Sequence, residues 1–215
     1  MPELPEVEVV KKSLEREINN LTIKEIKVFD GNLRYKVKKQ EINKLIGLKI
    51  LKIKRRAKYL LIFFEKSLVM IIHLGMTGKF FIIKKNNIKK KTSFYYEIGK
   101  NDLIKHNRII FTFKNYLKLI YHDVRKFGFI KFELEHKINE NKHLKLLGPE
   151  PLSTFFNFDY FKKHTVGKQR LIKDLLMDQK FVSGLGNIYA SEILFNCKIN
   201  PKKKAKSLSE NDCIN

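Results

Sequence analysis

A proline stands second in the chain, followed at once by a glutamate, in the opening MPELPEVEVV. With Met1 removed, Pro2 would present a secondary amine at the chain terminus. Such an amine attacks an electrophilic carbon and gives an iminium ion, an electron sink that eases elimination at the neighbouring carbon. This is the Schiff-base chemistry that lysine performs elsewhere. An α-amine titrates near 8 (roughly 7.7–8.0 in model peptides), so a neutral fraction exists at pH 7. Glu3 is adjacent and suits general acid or base work, and Glu6 falls where a helix dipole favours an anion. The same stretch also reads as nothing more than the start of a helix, and on these residues alone both readings stand.

The elements that would carry such chemistry fall into two textures. Pro5–Ile18 reads as a helix: Pro5 suits a first turn, and Val7, Val10, Leu14 and Ile18 recur on one face. From Thr22 to Phe132 the segments TIKEIKVF, LKILKIKRR, YLLIFF, LVMIIHL, KFFIIK, RIIFTF, LKLIYH and FGFIKFEL are short, β-branched or aromatic, and separated by polar or glycine breaks. That spacing predicts a sandwich or barrel. The polar, lysine-rich stretch Asn86–Leu103 reads as a loop. LGPEPL at Leu147–Leu152 breaks the pattern. Beyond it Phe155–His164, Arg170–Met177 and Ile188–Asn196 read as helices, and a last helix is expected from Ser207. The fold class expected is therefore α+β: an N-terminal β-sandwich domain over 1–146, flanked by an N-terminal helix, then an all-α domain over 147–215.

Composition narrows the partners. Hydrophobic content of 43% supports a packed core, and no apolar run approaches the roughly 20 residues of a membrane span. Two cysteines, Cys197 and Cys213, make neither a disulfide framework nor a zinc site, so a reducing cytoplasm is expected. The net charge of +23 fits a polyanion, since neutralising phosphates drives nucleic-acid affinity. Compositional drift toward lysine accounts for part of it: lysine outnumbers arginine 38 to seven, which makes the arginines the more informative cations.

Six blocks occur in order: PELPEVE at Pro2–Glu8, RRAKYLL at Arg55–Leu61, HLGMTG at His73–Gly78, DVRKFG at Asp123–Gly128, LGPEPL, and MDQKFVSGLGNIYASEILF at Met177–Phe195. Together they closely resemble the formamidopyrimidine-DNA glycosylase family, which removes oxidised purines from DNA. Leu4 distinguishes the chain from the sister family that begins P-E-G-P. The resemblance implies a bifunctional glycosylase and abasic-site lyase. Pro2 matches the nucleophile that attacks C1′, Glu3 the acid that helps open the sugar ring, and Lys58 the lysine that assists elimination and contacts phosphate. Met76, Arg125 and Phe127 match the residues that fill the gap left by a flipped nucleotide. KHNRI at Lys105–Ile109 resembles a family block whose histidine contacts DNA, which implicates His106. Asn187 matches the asparagine that binds phosphate at a helix start. The helices on either side of DQKFVSGLGN resemble the family's helix–two-turn–helix element. Where the family places a basic residue just before it, this chain has Gln169, with Lys168, Arg170 and Lys173 beside it as candidates.

The family continues into a four-cysteine zinc finger, whereas this chain ends at Asn215. The expectation is a truncated helical domain without the finger, with no cofactor of its own because the family's zinc site lies past the C-terminus. The partner expected is double-stranded DNA containing oxidised bases, bound by a monomer. The rival reading is a catalytically impaired remnant that holds damaged DNA without cutting it.

Overall fold

A computed structural model of the protein describes residues 2–84, 89–91 and 105–214. The chain forms two compact units, Met1–Asn139 and Glu140–Asn215.

The first unit opens with α1 (Leu4–Ile18), which buries Val7, Val10, Leu14 and Ile18, the apolar face its spacing predicts. Two antiparallel sheets follow. One runs in the order β1 (Ile23–Val28), β7 (Asn107–Phe113), β8 (Lys118–His122), β5 (Lys79–Ile83), β6 (Lys89–Lys91). The other runs β2 (Ile50–Arg56), β3 (Tyr59–Phe64), β4 (Leu68–His73), β9 (Phe129–Leu134). A short helix, α2 (Lys39–Asn43), joins β1 to β2. Residues from both sheets and from α1 share one apolar core that includes Leu14, Ile53, Ile62, Ile72, Phe80, Phe111 and Tyr121. This is the sandwich, with its flanking helix, that the short alternating runs predict.

The register of the second sheet matters most for function. Tyr59 pairs with His73, and His73 with Phe129. Tyr59 follows Lys58, His73 precedes the HLGMTG turn, and Phe129 follows the DVRKFG loop. Three of the sequence blocks therefore leave one end of one sheet from a single rung. Its rings are packed, His73 stacking on Phe129 with 5.6 Å between centroids and Tyr59 lying 5.0 Å from His73.

The expected loop over Asn86–Leu103 needs a correction: Lys89–Lys91 is a strand that pairs with β5. The rest of that expectation, apart from these residues, lies outside the described residues.

The second unit is helical, with α3 (Phe158–Thr165), α4 (Ile172–Leu176), α5 (Asn187–Asn196) and α6 (Glu210–Ile214). Its own core gathers Ile172, Leu175, Phe181, Val182, Ala190 and Leu194. Two helix starts, those of α3 and α6, fall furthest from the sequence expectation, and capping explains both. Asn157 accepts the Tyr160 amide at 3.0 Å, so α3 begins at Phe158 instead of Phe155. Ser209 and Asp212 exchange side-chain and backbone bonds of 3.1 and 2.9 Å, so α6 begins at Glu210, behind a separate 3-10 turn at Ala205–Ser207. LGPEPL packs inside this unit: the Gly148 amide donates to the Gln179 carbonyl at 2.8 Å, and buried Ser183 donates to the Gly148 carbonyl at 2.8 Å.

Candidate active site

The start of α1 and the β2–β3 turn form the first part of the site. Glu3 caps the helix, and its amide donates to the Glu6 carboxylate at 2.8 Å within a reciprocal capping box. Pro2 and Glu3 are both buried. Lys58 is only 6% exposed. Burial pulls its ammonium below the ordinary lysine range, while the charges of Glu3 and Glu6 pull it back up. The helix start and the hairpin lysine thus share one electrostatic environment.

A pair that sequence reasoning missed joins them. Arg55 Nε donates to the Glu8 carboxylate at 2.6 Å, and its Nη1 donates to the Ala57 carbonyl at 3.0 Å. The guanidinium therefore grips α1 with one nitrogen and the turn before Lys58 with another. Ala57 needs that support, since it sits at φ 51°, where a residue with a Cβ is strained. Both Glu8 and Arg55 lie within the quoted blocks. A helical stripe that places Glu8 one turn beyond Leu4 was the available signal.

The second part is a pair of interlocked turns. The Leu74–Gly78 turn carries Met76, 39% exposed, and the Asp123–Gly128 loop carries exposed Arg125 and Phe127, the latter 46% exposed. The Arg125 guanidinium lies 4.6 Å from the centre of the Phe127 ring. The turns touch backbone to backbone. A Cβ on Gly75, which sits at φ +62°, would come within 2.4 Å of the Phe127 carbonyl carbon, and one on Gly128 within 2.0 Å of the Tyr121 hydroxyl. Beneath them Asp123 is fully buried. It accepts from the Thr77 hydroxyl, the Lys126 and Gly128 amides, and the Tyr121 hydroxyl. Burial, together with the Asp123 charge, pushes the Tyr121 hydroxyl well above the usual tyrosine range, so it remains a donor. The sequence singled out Met76, Arg125 and Phe127, and the structure brings all three to neighbouring turns.

His106 borders this loop. Buried Arg108 donates to the Asp123 and Val124 carbonyls at 2.8 and 3.4 Å, to Asp30 at 3.1 Å, and to His106 Nδ1 at 3.2 Å. His106 in turn meets the His122 ring edge-on, 5.8 Å between centroids. Burial first, and the neighbouring His106 next, push His122 down to about 4, so it is neutral at pH 7.

In the helical unit, Asn187 is exposed as the first residue of α5, behind its cap Gly186. Lys168 is exposed and Lys173 half-buried. Arg170 is engaged with Asp178 at 2.6 Å. Gln179 spans the two turns between α4 and α5: its Nε2 donates to the Leu185 carbonyl at 2.7 Å and its Oε1 accepts the Gly184 amide at 2.9 Å. This is the side chain that fixes the turn geometry, and its position inside DQKFVSGLGN was the only sequence cue.

Among the described residues no three His, Cys, Asp or Glu side chains group as metal ligands would, and both cysteines are free thiols. The residues present do not fit a four-cysteine zinc site. No described helix is long and apolar enough to cross a membrane.

Comparison with known proteins gives concordant matches. Residues 1–130 match the formamidopyrimidine-DNA glycosylase N-terminal domain and residues 147–215 the formamidopyrimidine-DNA glycosylase H2TH domain. The formamidopyrimidine-DNA glycosylase of Rickettsia bellii (strain OSU 85-389) is 40% identical over 215 residues, covering 100% of this chain and 73% of its own length. That of Rhodopseudomonas palustris (strain CGA009) is 36% identical over 209 residues, covering 97% and 71%. The structure is similar to Lactococcus lactis Fpg in complex with DNA containing an abasic site, with a TM-score of 0.84 at 31% identity, over 98% of this chain and 72% of that one. It is equally similar, at TM-score 0.84, to the same protein with N7-benzyl-Fapy-dG-containing DNA.

Proposed function

The chain belongs to the formamidopyrimidine-DNA glycosylase family, and from that premise we propose that it excises oxidised purines from double-stranded DNA and cleaves the strand at the resulting abasic site. The Pro2 amine, freed by loss of Met1, bonds to C1′ of the damaged nucleotide as the bond from C1′ to the base breaks, and the departing base takes up the proton that the amine sheds. Glu3 protonates the ring oxygen as the C1′–O4′ bond opens, leaving an iminium and an ionised Glu3. Loss of a C2′ proton to a base then expels the 3′ phosphate. Lys58 neutralises phosphate charge beside this centre and assists the elimination.

The observation that carries this reading is the buried grouping of Pro2 and Glu3 with Lys58, whose ammonium lies in the field of Glu3. A carboxyl group beside an amine is placed for general acid work on the sugar. Met76, Arg125 and Phe127 serve as the wedge. Unstacking a base costs a few kcal/mol, and an apolar side chain in the gap recovers part of it, while Arg125 hydrogen-bonds the base left unpaired. His106, Asn187 and a cation among Lys168, Arg170 and Lys173 bind phosphates.

Incubation with a duplex carrying 8-oxoguanine opposite cytosine tests the proposal. Free 8-oxoguanine and a cleaved strand are expected in equal amounts. Tight binding with neither product would favour the rival reading, a protein that holds damaged DNA without cutting it.

A further inference from the structure

We propose that Asp123 is a positioning residue that sets both wedge turns before DNA arrives, an inference that rests on the wedge reading of Met76, Arg125 and Phe127 given above. Asp123 is fully buried and lies behind the exposed wedge side chains, so its action must pass through others. Each of its oxygens receives two donors. Oδ1 accepts from Thr77 Oγ1 at 2.5 Å and from the Lys126 amide at 3.1 Å. Oδ2 accepts from the Gly128 amide at 2.9 Å and from the Tyr121 hydroxyl at 3.3 Å. Both oxygens of the side chain are thereby fully engaged as acceptors.

The four donors come from three segments, and their order along the chain gives the arrangement its meaning. Thr77 is the neighbour of Met76. Lys126 and Gly128 flank Phe127. Thr77 Oγ1 also accepts the Arg125 amide at 3.0 Å, so a relay runs from Arg125 through Thr77 to Asp123. Every wedge residue is thus one covalent step, or one hydrogen bond, from a residue that donates to this carboxylate. Lys126 sits at φ 59°, an unfavourable backbone state for a residue with a Cβ. The Asp123 bond to its amide and a 2.7 Å pair from its ammonium to Asp30 hold it there. Arg108 completes the fixation from the opposite side through the Asp123 and Val124 carbonyls. A preformed wedge loses less conformational freedom when it enters the base stack, which favours flipping.

The test uses the full chain and a small set of variants. Asp123→Asn keeps the shape but turns a donor toward Lys126 or Gly128. Thr77→Val breaks the relay from Arg125 and is the fallback if Asp123→Asn folds poorly; Thr77→Ser should restore it. Single-turnover excision is measured on a lesion in duplex DNA, and borohydride trapping on an abasic site in single-stranded DNA, where no base pair must open. A positioning role predicts a loss of about 10–30-fold on the duplex, the effect of one or two buried hydrogen bonds, with trapping on the single strand changed by less than about twofold and Thr77→Ser near wild type. Equal losses on both substrates, tracking a lower melting temperature, would overturn the inference in favour of a merely structural role; so would no loss on the duplex. The Met76→Ala/Phe127→Ala double variant separates the two claims. If it excises from duplex as well as wild type, the wedge reading fails. If it is impaired and Asp123→Asn is not, the positioning inference alone fails. If both hold, adding Asp123→Asn to the double variant has little further effect.

Discussion

Replacing Arg55 by Met should separate α1 from the lysine hairpin while keeping most of the side chain's apolar stem. The 2.6 Å contact to Glu8 and the 3.0 Å contact to the Ala57 carbonyl vanish. The Arg55 side chain is 12% exposed and that of Glu8 30%, so the pair lies between the exposed case, worth roughly 0–1 kcal/mol, and the buried one, where removing a partner costs roughly 3–5 kcal/mol. An intermediate loss of about 2 kcal/mol follows. A compact unit of this size loses about 4 °C in melting temperature per kcal/mol, so a fall of roughly 8 °C is expected. The chemical effect should be larger in proportion. A displacement of about 1 Å between reacting groups can lower a rate roughly 100-fold, and the Arg55 bridge from Glu8 to the Ala57 carbonyl fixes the turn before Lys58 against α1. Single-turnover borohydride trapping on an abasic oligonucleotide should therefore slow by about 10–100-fold. Arg55→Lys should recover only part, because an ammonium cannot reach both acceptors in fixed geometry. Glu8→Gln combined with Arg55→Met should be no worse than the poorer single variant. A trapping rate within about twofold of wild type alongside the lower melting temperature would refute the clamp as a positioning device.

Further outcomes follow from other residues. Lys58 is held below the ordinary lysine value by burial. Between its folded value and the unfolded 10.5 the unfolded chain binds the extra proton, so stability rises with pH through that window and the buried charge weighs fully against the fold below it. Lys58→Met should thus raise the melting temperature at pH 7 by a few degrees, flatten the alkaline rise, and abolish most strand cleavage; calorimetry at pH 7 and above checks it. For phosphate binding, Lys168→Ala should lower the slope of log affinity against log salt by about 0.9. Arg170→Ala should lower it less, since Asp178 already neutralises that guanidinium. Fluorescence anisotropy titrations across salt would show the reverse order if Arg170 is the true contact. Gly128→Ala should destabilise strongly, by about 2 kcal/mol or more, because its Cβ would meet the Tyr121 hydroxyl in the packed core beneath the loop.

Much of the fold was legible because it is local. The four apolar residues of α1 recur at helical spacing, and YLLIFF is β3 to the residue. The helix starts at Phe158 and Glu210 were less legible, since Asn157 and Ser209 act through caps that compete with apolar periodicity. The Lys89–Lys91 strand was not legible at all: three lysines have poor strand propensity, and only the presence of β5 alongside makes them a strand. At the site, the blocks identified the exposed and reactive side chains. They did not reveal the residues that hold those blocks together. Arg55 with Glu8, and Asp123 with Thr77, are pairings between distant segments, and such pairs become visible only once the sheet register brings the rung of Tyr59, His73 and Phe129 into line.

The central claim is that the Pro2 amine becomes covalently bonded to DNA. Reducing the intermediate with borohydride on a lesion-containing duplex, digesting the cross-linked protein and sequencing the modified peptide by mass spectrometry tests it directly. The account predicts a sugar adduct on the N-terminal peptide, at the nitrogen of Pro2 with Met1 gone, and its loss in Pro2→Gly with DNA binding largely retained. An adduct on Lys58 or any other lysine, or an undiminished cross-link when the N-terminal amine is blocked, would contradict it.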